Sequence, residues 1–450
     1  MKTLIKKFIP SFLLGWYHLS LAFFGAIFYR FPSYPPKFSF GKFRWARKLK
    51  VIGITGTSGK STVVNLATRI LEEGGFKVAS LSSIKFKIGD REWLNTLKMT
   101  MPGRLKLQKF LREAVNAGCQ YAVIEVTSEG IKQHRQRFID FDIAVFTNLT
   151  PEHIESHGSF EKYREAKGKL FQACKNIHII NLDDENSDYF LKFSAQKKYT
   201  YGWDKGDINT KNTQFKLKLA GDFNIYNALS AICVGLSQGI DLETCKRALE
   251  KVEGIPGRME VVIKKPFKVI VDYAHTPDSL IKVYETIRNS KFQWVAGGWR
   301  PNSKMICVLG ACGGGRDKWK RPELGRIAEK YCDQIILTNE DPYDENPQYI
   351  LGQIESGFSQ IPNSKLQTPK YEKILEDIVK GAPKAQKILD RKAAIKKALS
   401  LAKLGDTVII TGKGSEPWMC VEHGKKISWD DREVVKEEFN SLQQVQLVNY

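Results

Sequence analysis

What this chain lacks narrows the work it can do. Its eight cysteines, at positions 119, 174, 233, 245, 307, 312, 332 and 420, include no C-x-x-C pair and no zinc-ligand spacing. Buried or free thiols in a reducing compartment fit that scatter better than a disulfide framework does. No arginine-glycine tract, zinc-finger spacing or ribonucleoprotein aromatic motif is present, which argues against nucleic acid as a partner. There is no internal repeat and no low-complexity tract. Negative charge is scarce: 49 Asp and Glu stand against 70 Lys and Arg, a net +21. Such an excess implies an anionic partner, either an acidic membrane surface or a polyphosphate substrate, or else a merely solvated basic surface. What is present is globular: 42% hydrophobic and 26% charged residues, in 450 residues that suffice for two or three domains.

The chain is organised around VIGITGTSGKST, which begins at Val51. Residues 51–55 are apolar and β-branched and read as a buried parallel strand, and residues 63–71 read as a helix. Between them run Gly56, Thr57, Ser58, Gly59, Lys60, Ser61 and Thr62. Two glycines let the backbone curl its N–H groups toward an anion, the helix N-terminus adds positive potential, and Lys60 offers a point charge to the outer phosphates. Ser61 or Thr62 then stands where Mg²⁺ is held. The loop is slightly shorter than the standard phosphate-loop spacing, but the Lys and two hydroxyls follow the second glycine in the order an Mg-nucleotide requires.

Before this loop, residues 8–29 form an uncharged run bracketed by Lys2, Lys6, Lys7 and Arg30. Its length suits a membrane-spanning helix with Trp16, Tyr17, Phe28 and Tyr29 as interfacial aromatics. Pro10, Gly15, His18, Ser20 and Gly25 dilute its hydropathy, which keeps open a helix lying in the membrane interface. A cleaved signal peptide fits poorly, because it would export a nucleotide-binding domain away from ATP. Lys37, Lys42, Arg44, Arg47, Lys48 and Lys50 place the following side in the cytoplasm by the positive-inside rule. Residues 31–40, with three prolines, read as an extended linker.

Beyond residue 50, strand and helix patterns alternate. Strands are expected over 78–81, 121–125, 142–146 and 177–180, and helices over 105–117, 160–174 and 226–238. A second series places strands over 268–272, 305–309, 334–337, 387–390 and 407–411. The fold class is therefore α/β: an N-terminal hydrophobic helix and linker over 1–48, a central phosphate-loop domain with a mainly parallel sheet over 49–257, and a C-terminal Rossmann-like domain over 258–450. Ligands are expected at the carboxyl ends of the strands. Glu125 ends a buried strand near the phosphate loop and suits Mg²⁺ directly or through water. His153 and His157 follow the strand ending at Phe146. Helical spacing sets Lys167 on one face with Tyr163, where periodicity alone makes it a solvated helix residue.

GTSGKST, TMPG (100–103), EVTSEG (125–130), NLTPEH (148–153), YREAKGKLF (163–171), NIYNALSA (224–231), PGRMEVV, DYAHTPDSL (272–280), GGGRDKWKRP (313–322) and GKGSE (412–416) resemble, in order, the motifs of the Mur ligase family. Within it they are most similar to the MurE type, UDP-N-acetylmuramoyl-dipeptide:amino-acid ligases. The resemblance implies ATP-dependent amide synthesis. The γ-phosphate of ATP converts a substrate carboxylate to an acyl phosphate, which the amino group of an incoming amino acid attacks. Two anions must meet in such a site, so cations are needed.

By that resemblance Gly56 to Thr62 hold the nucleotide, with Lys60 and Ser61 on the β/γ-phosphates and the first Mg²⁺. Glu125 shares that ion and His153 binds a second. Lys167 matches a lysine that the family carbamylates with CO₂, which reverses the solvated reading. Asn227 matches the residue that reads adenine, Asp272 and His275 fall in a segment that closes over the nucleotide, and Arg258 lies at the domain hinge. Thr100, Pro102, Thr127, Ser128 and Arg135 fall in the motifs assigned to the acceptor. Arg316, Glu340, Asp341, Tyr343, Gly412 and Glu416 fall in those assigned to the amino acid.

Two departures stand out. Where diaminopimelate-adding enzymes carry D-N-P-R, this chain reads Glu340, Asp341, Pro342, Tyr343. A phenol cannot replace a bidentate guanidinium, so lysine competes with meso-diaminopimelate as the added amino acid. The roughly 50 residues before Val51 also hold an apolar segment where the family carries a uridine-binding domain. The expectation is an enzyme attached to the inner face of the cytoplasmic membrane through residues 8–29, acting on a UDP-linked muramoyl-dipeptide or a lipid-linked equivalent. Competing readings are a membrane-anchored polyglutamate synthase, which would lack GRDKWKRP and GKGSE, and a phosphate-loop membrane ATPase. The latter would end its strand in Asp-Glu where this chain has Ile124-Glu125.

Overall fold

The computed structural model describes residues 11–33, 49–97, 99–289, 303–358 and 384–448. The chain divides into two compact units, with the break in the chain at Glu253 and Gly254; residues 153–156 and 219–221 group with the second unit.

The first unit is built on a nine-stranded sheet. Its strands are β1 (Lys50–Thr55), β2 (Val78–Leu81), β3 (Lys85–Ile88), β4 (Arg91–Leu94), β5 (Tyr121–Glu125), β6 (Phe141–Phe146), β7 (Ile177–Asn181), β8 (Lys197–Gly202) and β9 (Ile208–Asn209). They lie in the order β4-β3-β2-β5-β1-β6-β7-β8-β9. The β2–β3 and β3–β4 pairs are antiparallel and the remaining neighbours are parallel. The middle strands are unbroken apolar runs because helices cover both faces, so alternation with polar residues has no place there.

After α1 (Ser11–Phe28), helix α2 (Lys60–Glu73) follows β1 and buries Val63, Val64, Ala67, Ile70 and Leu71, the spacing of an amphipathic helix. Helices α3 (Arg104–Asn116), α4 (Phe160–Ala173) and α5 (Asp222–Ser237) complete the layers, with α5 packed against α2.

The second unit carries β10 (Glu260–Ile263), β11 (Lys268–Val271), β12 (Met305–Leu309), β13 (Gln334–Leu337), β14 (Lys384–Lys387) and β15 (Thr407–Ile410) in the order β10-β11-β15-β12-β13-β14. Only the edge strand β10 is antiparallel. A short hairpin, β16 (Trp418–Cys420) and β17 (Lys426–Ser428), follows. Helices α6 (Pro277–Arg288), α7 (Lys320–Tyr331), α8 (Arg391–Leu401) and α9 (Asp431–Val448) flank the sheet. Thr276 opens α6 with a capping box to Ser279, and Pro277 sits at its first position.

Three expectations need correction. The strand expected over 387–390 lies instead at Lys384–Lys387, because Asp390 is committed to capping α8 by accepting a hydrogen bond from the Ala393 N–H at 2.7 Å. Cys307, in β12, and Cys332, just past α7, form a disulfide across a separation of 25 residues, while the other six cysteines are free. The sheet brings the pair together, which no local spacing revealed. Finally, among the described residues no helix is long and apolar enough to cross a membrane. The apolar run does form α1, but one of its faces packs on protein: Ala22 and Ala26 are buried, and Arg112 donates to the carbonyls of Tyr29 and Arg30 at 2.9 and 2.8 Å. The start of the run at Phe8, the linker beyond Ser33 and the cations from Lys37 to Lys48 lie outside the described residues.

Arg391 locks the second unit. Both its own side chain and that of Asp431 are fully buried. Its Nε and Nη2 donate to the two Asp431 oxygens at 2.8 and 2.7 Å, and Nη1 and Nη2 donate to the carbonyls of Asn339 and Thr411 at 3.2 and 2.8 Å. Removing one member strands a buried charge, so Asp431→Ala is expected to cost about 3–5 kcal/mol in urea unfolding, and the paired Arg391→Met/Asp431→Leu variant much less. Equal losses from both would show that the ion pair itself, rather than the stranded charge, carries the stability.

Candidate active site

The phosphate loop is held from every side. Ser58 is clamped by Asn148, whose Oδ1 accepts the Ser58 N–H at 2.9 Å and whose Nδ2 donates to the Ser58 carbonyl at 3.1 Å. The Thr147 hydroxyl donates to the same carbonyl at 2.8 Å. Gly59, at φ +83°, caps α2, and a Cβ there would strike the Asn227 Oδ1, so only glycine lets the loop run against that buried amide. Asn227 in turn donates to Asn224 Oδ1 at 3.0 Å.

At the first turn of α2, Ser61 donates to Glu125 Oε2 at 2.7 Å, and the same carboxylate oxygen accepts the Ser83 N–H at 3.1 Å. Lys60 Nζ donates to the Thr57 carbonyl at 2.7 Å and stands 3.8 Å from Glu125 Oε1. A hydroxyl, a carboxylate and an ammonium thus share the mouth of the loop at the positive end of a helix. Hard oxygen donors of this type suit Mg²⁺, with phosphate oxygens and water completing the set. Among the described residues no three His, Cys, Asp or Glu side chains cluster as a self-sufficient metal cage.

Lys167 lies under the loop. It is 1% exposed, donates to the Gly56 carbonyl at 2.6 Å, and sits over the Tyr163 ring at 4.6 Å. Tyr163 reaches Thr57 Oγ1 at 3.0 Å. Burial, with the Lys60 charge second, drives the Lys167 amine well below the ordinary lysine range. The neutral amine is a nucleophile, which a protonated lysine is not. His153 has a left-handed backbone, φ +58°, in the short segment that groups with the second unit. His157 lies 3.4 Å from Glu129 Oε1.

In the same unit as this loop are two buried arginines, one of which sequence reasoning missed. Arg135 donates to the Met101 carbonyl and, at 2.8 Å, to Gln133 Oε1, and Arg104 Nε donates to the Gln133 carbonyl at 2.8 Å. Arg135 Nε and Arg104 Nη2 are buried without a hydrogen-bond partner among the described residues. Burial, then the neighbouring Arg104, lowers Arg135 to about 10. Two desolvated guanidinium groups with spare donors suit a carboxylate or phosphate. Pro102 is buried and Thr100 half-buried at the start of α3, and Ser128 is buried. The Thr127 hydroxyl is occupied by capping, accepting the Gly130 N–H at 3.1 Å.

In the second unit two of the expected amino-acid residues, Asp341 and Glu416, meet at one that was missed, Lys413. Its ammonium donates to both Asp341 oxygens at 2.9 Å and to Glu416 Oε2 at 2.6 Å. Asp341 also accepts the Cys420 N–H at 2.7 Å. Glu416 accepts from the Tyr273 hydroxyl at 3.2 Å, and Arg258 stacks on the Tyr273 ring at 4.4 Å. Glu340 is buried; its Oε1 accepts from the Cys312 thiol at 2.9 Å, while Oε2 has no partner among the described residues. That oxygen faces Gly412, at φ +105°, where a Cβ would collide with it. Burial raises the Glu340 pKa. Arg316 acts electrostatically on Tyr273, His275 and Cys312, and Tyr343 takes a left-handed backbone, φ +53°. Asp272 accepts the Met259 and Ala274 N–H groups at 2.7 and 2.6 Å, which makes it a backbone clamp beside Arg258. Burial and the Lys320 charge hold His275 well below the usual imidazole range, hence neutral. The position of Lys413 inside GKGSE, a lysine between two glycines and near an acid, was the signal that could have found it.

Comparison with known proteins identifies the family. Residues 54–235 match the Mur ligase middle domain and residues 257–414 match the Mur ligase, glutamate ligase domain. The chain is 36% identical over 419 residues to a UDP-N-acetylmuramoyl-L-alanyl-D-glutamate--2,6-diaminopimelate ligase of Clostridium tetani, covering 88% of this chain and 78% of the relative. It is 38% identical over 410 residues to the protein of the same name from Caldanaerobacter subterraneus, covering 87% and 78%. It is 33% identical over 421 residues to a UDP-N-acetylmuramyl-tripeptide synthetase of Roseiflexus, covering 86% and 77%. A solved diaminopimelate ligase of this name superposes with a TM-score of 0.54 at 27% identity, covering 88% and 79%. Folylpolyglutamate synthase of Mycobacterium tuberculosis, at 15% identity, a TM-score of 0.63 and coverage of 88% and 91%, shares the fold alone. With two domain matches in order and relatives 36% and 38% identical over most of its length, the chain belongs to the Mur ligase family.

Proposed function

We propose that this protein is an ATP-dependent acid–amino-acid ligase that extends the D-Glu carboxylate of a muramoyl-dipeptide by one diamino acid in peptidoglycan synthesis. The observation that carries the reading is the Lys60–Ser61–Glu125 cluster at the phosphate loop with the buried Lys167 beneath it. A carboxylate oxygen does not leave at neutral pH and phosphate does, so ATP supplies the leaving group. Lys60 balances charge on the transferred phosphoryl group, Ser61 and Glu125 would hold one Mg²⁺ and His153 a second, and Asn227 orients the base. Arg135 and Arg104 receive the anionic end of the acceptor. When bound, Mg²⁺ supplies charge neutralisation between the two anions.

Lys167 acts as a carbamate. Its neutral amine nitrogen bonds to the carbon of CO₂ and releases one proton, which turns a group that would repel magnesium into a carboxylate-like anion that attracts it. In the second unit, Glu340 and Glu416 meet ammonium groups of the amino acid and Arg316 meets its carboxylate. The names of the relatives favour diaminopimelate. Tyr343, in place of the arginine of D-N-P-R, favours lysine as the second reading. The protein works in the cytoplasm, attached to the inner face of the membrane through residues 8–29, with a UDP-linked or lipid-linked acceptor.

Phosphate release from ATP should require both UDP-MurNAc-L-Ala-D-Glu and one diamino acid, and Lys60→Ala should lower it by about 10²–10³-fold. Release that needs neither acceptor nor amino acid would contradict the ligase reading. Bicarbonate-free enzyme should lose activity and regain it on addition of bicarbonate. Labelled bicarbonate should also give a carbamate NMR signal that Lys167→Arg lacks; an identical signal in that variant would place the carbamate elsewhere.

A further inference from the structure

Helix α1 has two faces of opposite fate. Ala22 and Ala26 are buried, Gly25 lies against Leu105 of α3, and Phe23 meets Phe138 at 5.4 Å between ring centroids. The other face is apolar and open: Trp16 is 70% exposed, Phe24 62% and Phe28 75%, with Leu13, Tyr17 and Ile27 also exposed. These residues recur at helical spacings of three, four and seven, so they form one stripe along the helix. Water is a poor solvent for such a stripe, and its length and aromatic content exceed scattered surface apolar residues. The charge that flanks it in sequence favours an anionic surface as its cover. The first 50 residues carry ten Lys and Arg and no Asp or Glu.

We infer that α1 docks flat on an anionic lipid surface, its Trp16–Phe24–Phe28 face in the interfacial layer and its Ala22–Ala26 face remaining on the protein. A helix packed along α3 on one side offers lipid only its outer face, which agrees with the absence, among the described residues, of any helix fit to span a membrane. Trp and Tyr favour the zone where apolar body and polar tip are both satisfied, and flanking cations add attraction to anionic headgroups. The inference rests on the membrane attachment proposed above and not on the ligase chemistry.

The test is co-sedimentation of the full chain with vesicles of phosphatidylglycerol and phosphatidylcholine, and with phosphatidylcholine alone. Binding to the mixed vesicles is expected, weakened by salt and by omission of phosphatidylglycerol. The triple variant Trp16→Ser/Phe24→Ser/Phe28→Ser should bind about 1,000-fold more weakly while keeping its phosphate release in solution, since burial of each of the three rings contributes roughly a factor of ten. Failure of the native chain to bind either vesicle overturns attachment and docking together. Native-like binding by the variant overturns the docking face and leaves attachment standing. A native dimer that the variant makes monomeric, with no vesicle binding by either, assigns the stripe to a second copy of the chain. Ligase activity is measured on the same samples, so its loss or retention is read separately.

Discussion

A lysine that is 1% exposed and hydrogen-bonded to a loop carbonyl is the constraint on which the catalytic half depends. An ammonium desolvated to this degree is costly, so the position selects the neutral amine. The same side chain ties α4 to the phosphate loop through Gly56, while Tyr163, one turn earlier on α4, touches Thr57. Loop shape and amine reactivity therefore follow from one burial. A loop supported in this way presents its helix N-terminus, Lys60 and the Ser61–Glu125 pair without having to reorganise, and preorganisation of this kind is how charge is stabilised in phosphoryl transfer.

The second unit solves a different electrostatic problem with similar means. Three carboxylates, Glu340, Asp341 and Glu416, crowd one region, and Lys413 satisfies two of them while the Cys312 thiol donates to the third. Glu340 keeps one buried oxygen without a partner among the described residues, a local cost that an ammonium-bearing ligand would relieve. Arg391 and Asp431 brace the ends of β13 and β15 from below through Asn339 and Thr411, so the acidic group rests on a rigid base.

Much of this was legible in the sequence because its signals are local. Strands such as Met305–Leu309 and Gln334–Leu337 are short apolar runs bounded by breakers, and the phosphate loop states its chemistry in consecutive residues. What escaped was non-local or locally ambiguous. Asp390 looks like a strand end until its cap to Ala393 is seen. Cys307 and Cys332 meet only through sheet and helix packing. Arg104 and Lys413 gain meaning from neighbours 29 and 72 residues away. Lys167 is the sharpest case: periodicity made it a surface residue, and its burial under the phosphate loop overturns that reading.

In the proposed reaction ATP activates the acceptor by phosphorylating its carboxylate. The most direct measurement uses acceptor labelled with heavy oxygen in the D-Glu carboxylate, followed by mass analysis of the phosphate released during turnover. Transfer of one labelled oxygen to phosphate for each amide formed is the predicted result. Amide formation with unlabelled phosphate would contradict the account, because the carboxylate oxygen would then never have been bonded to phosphorus.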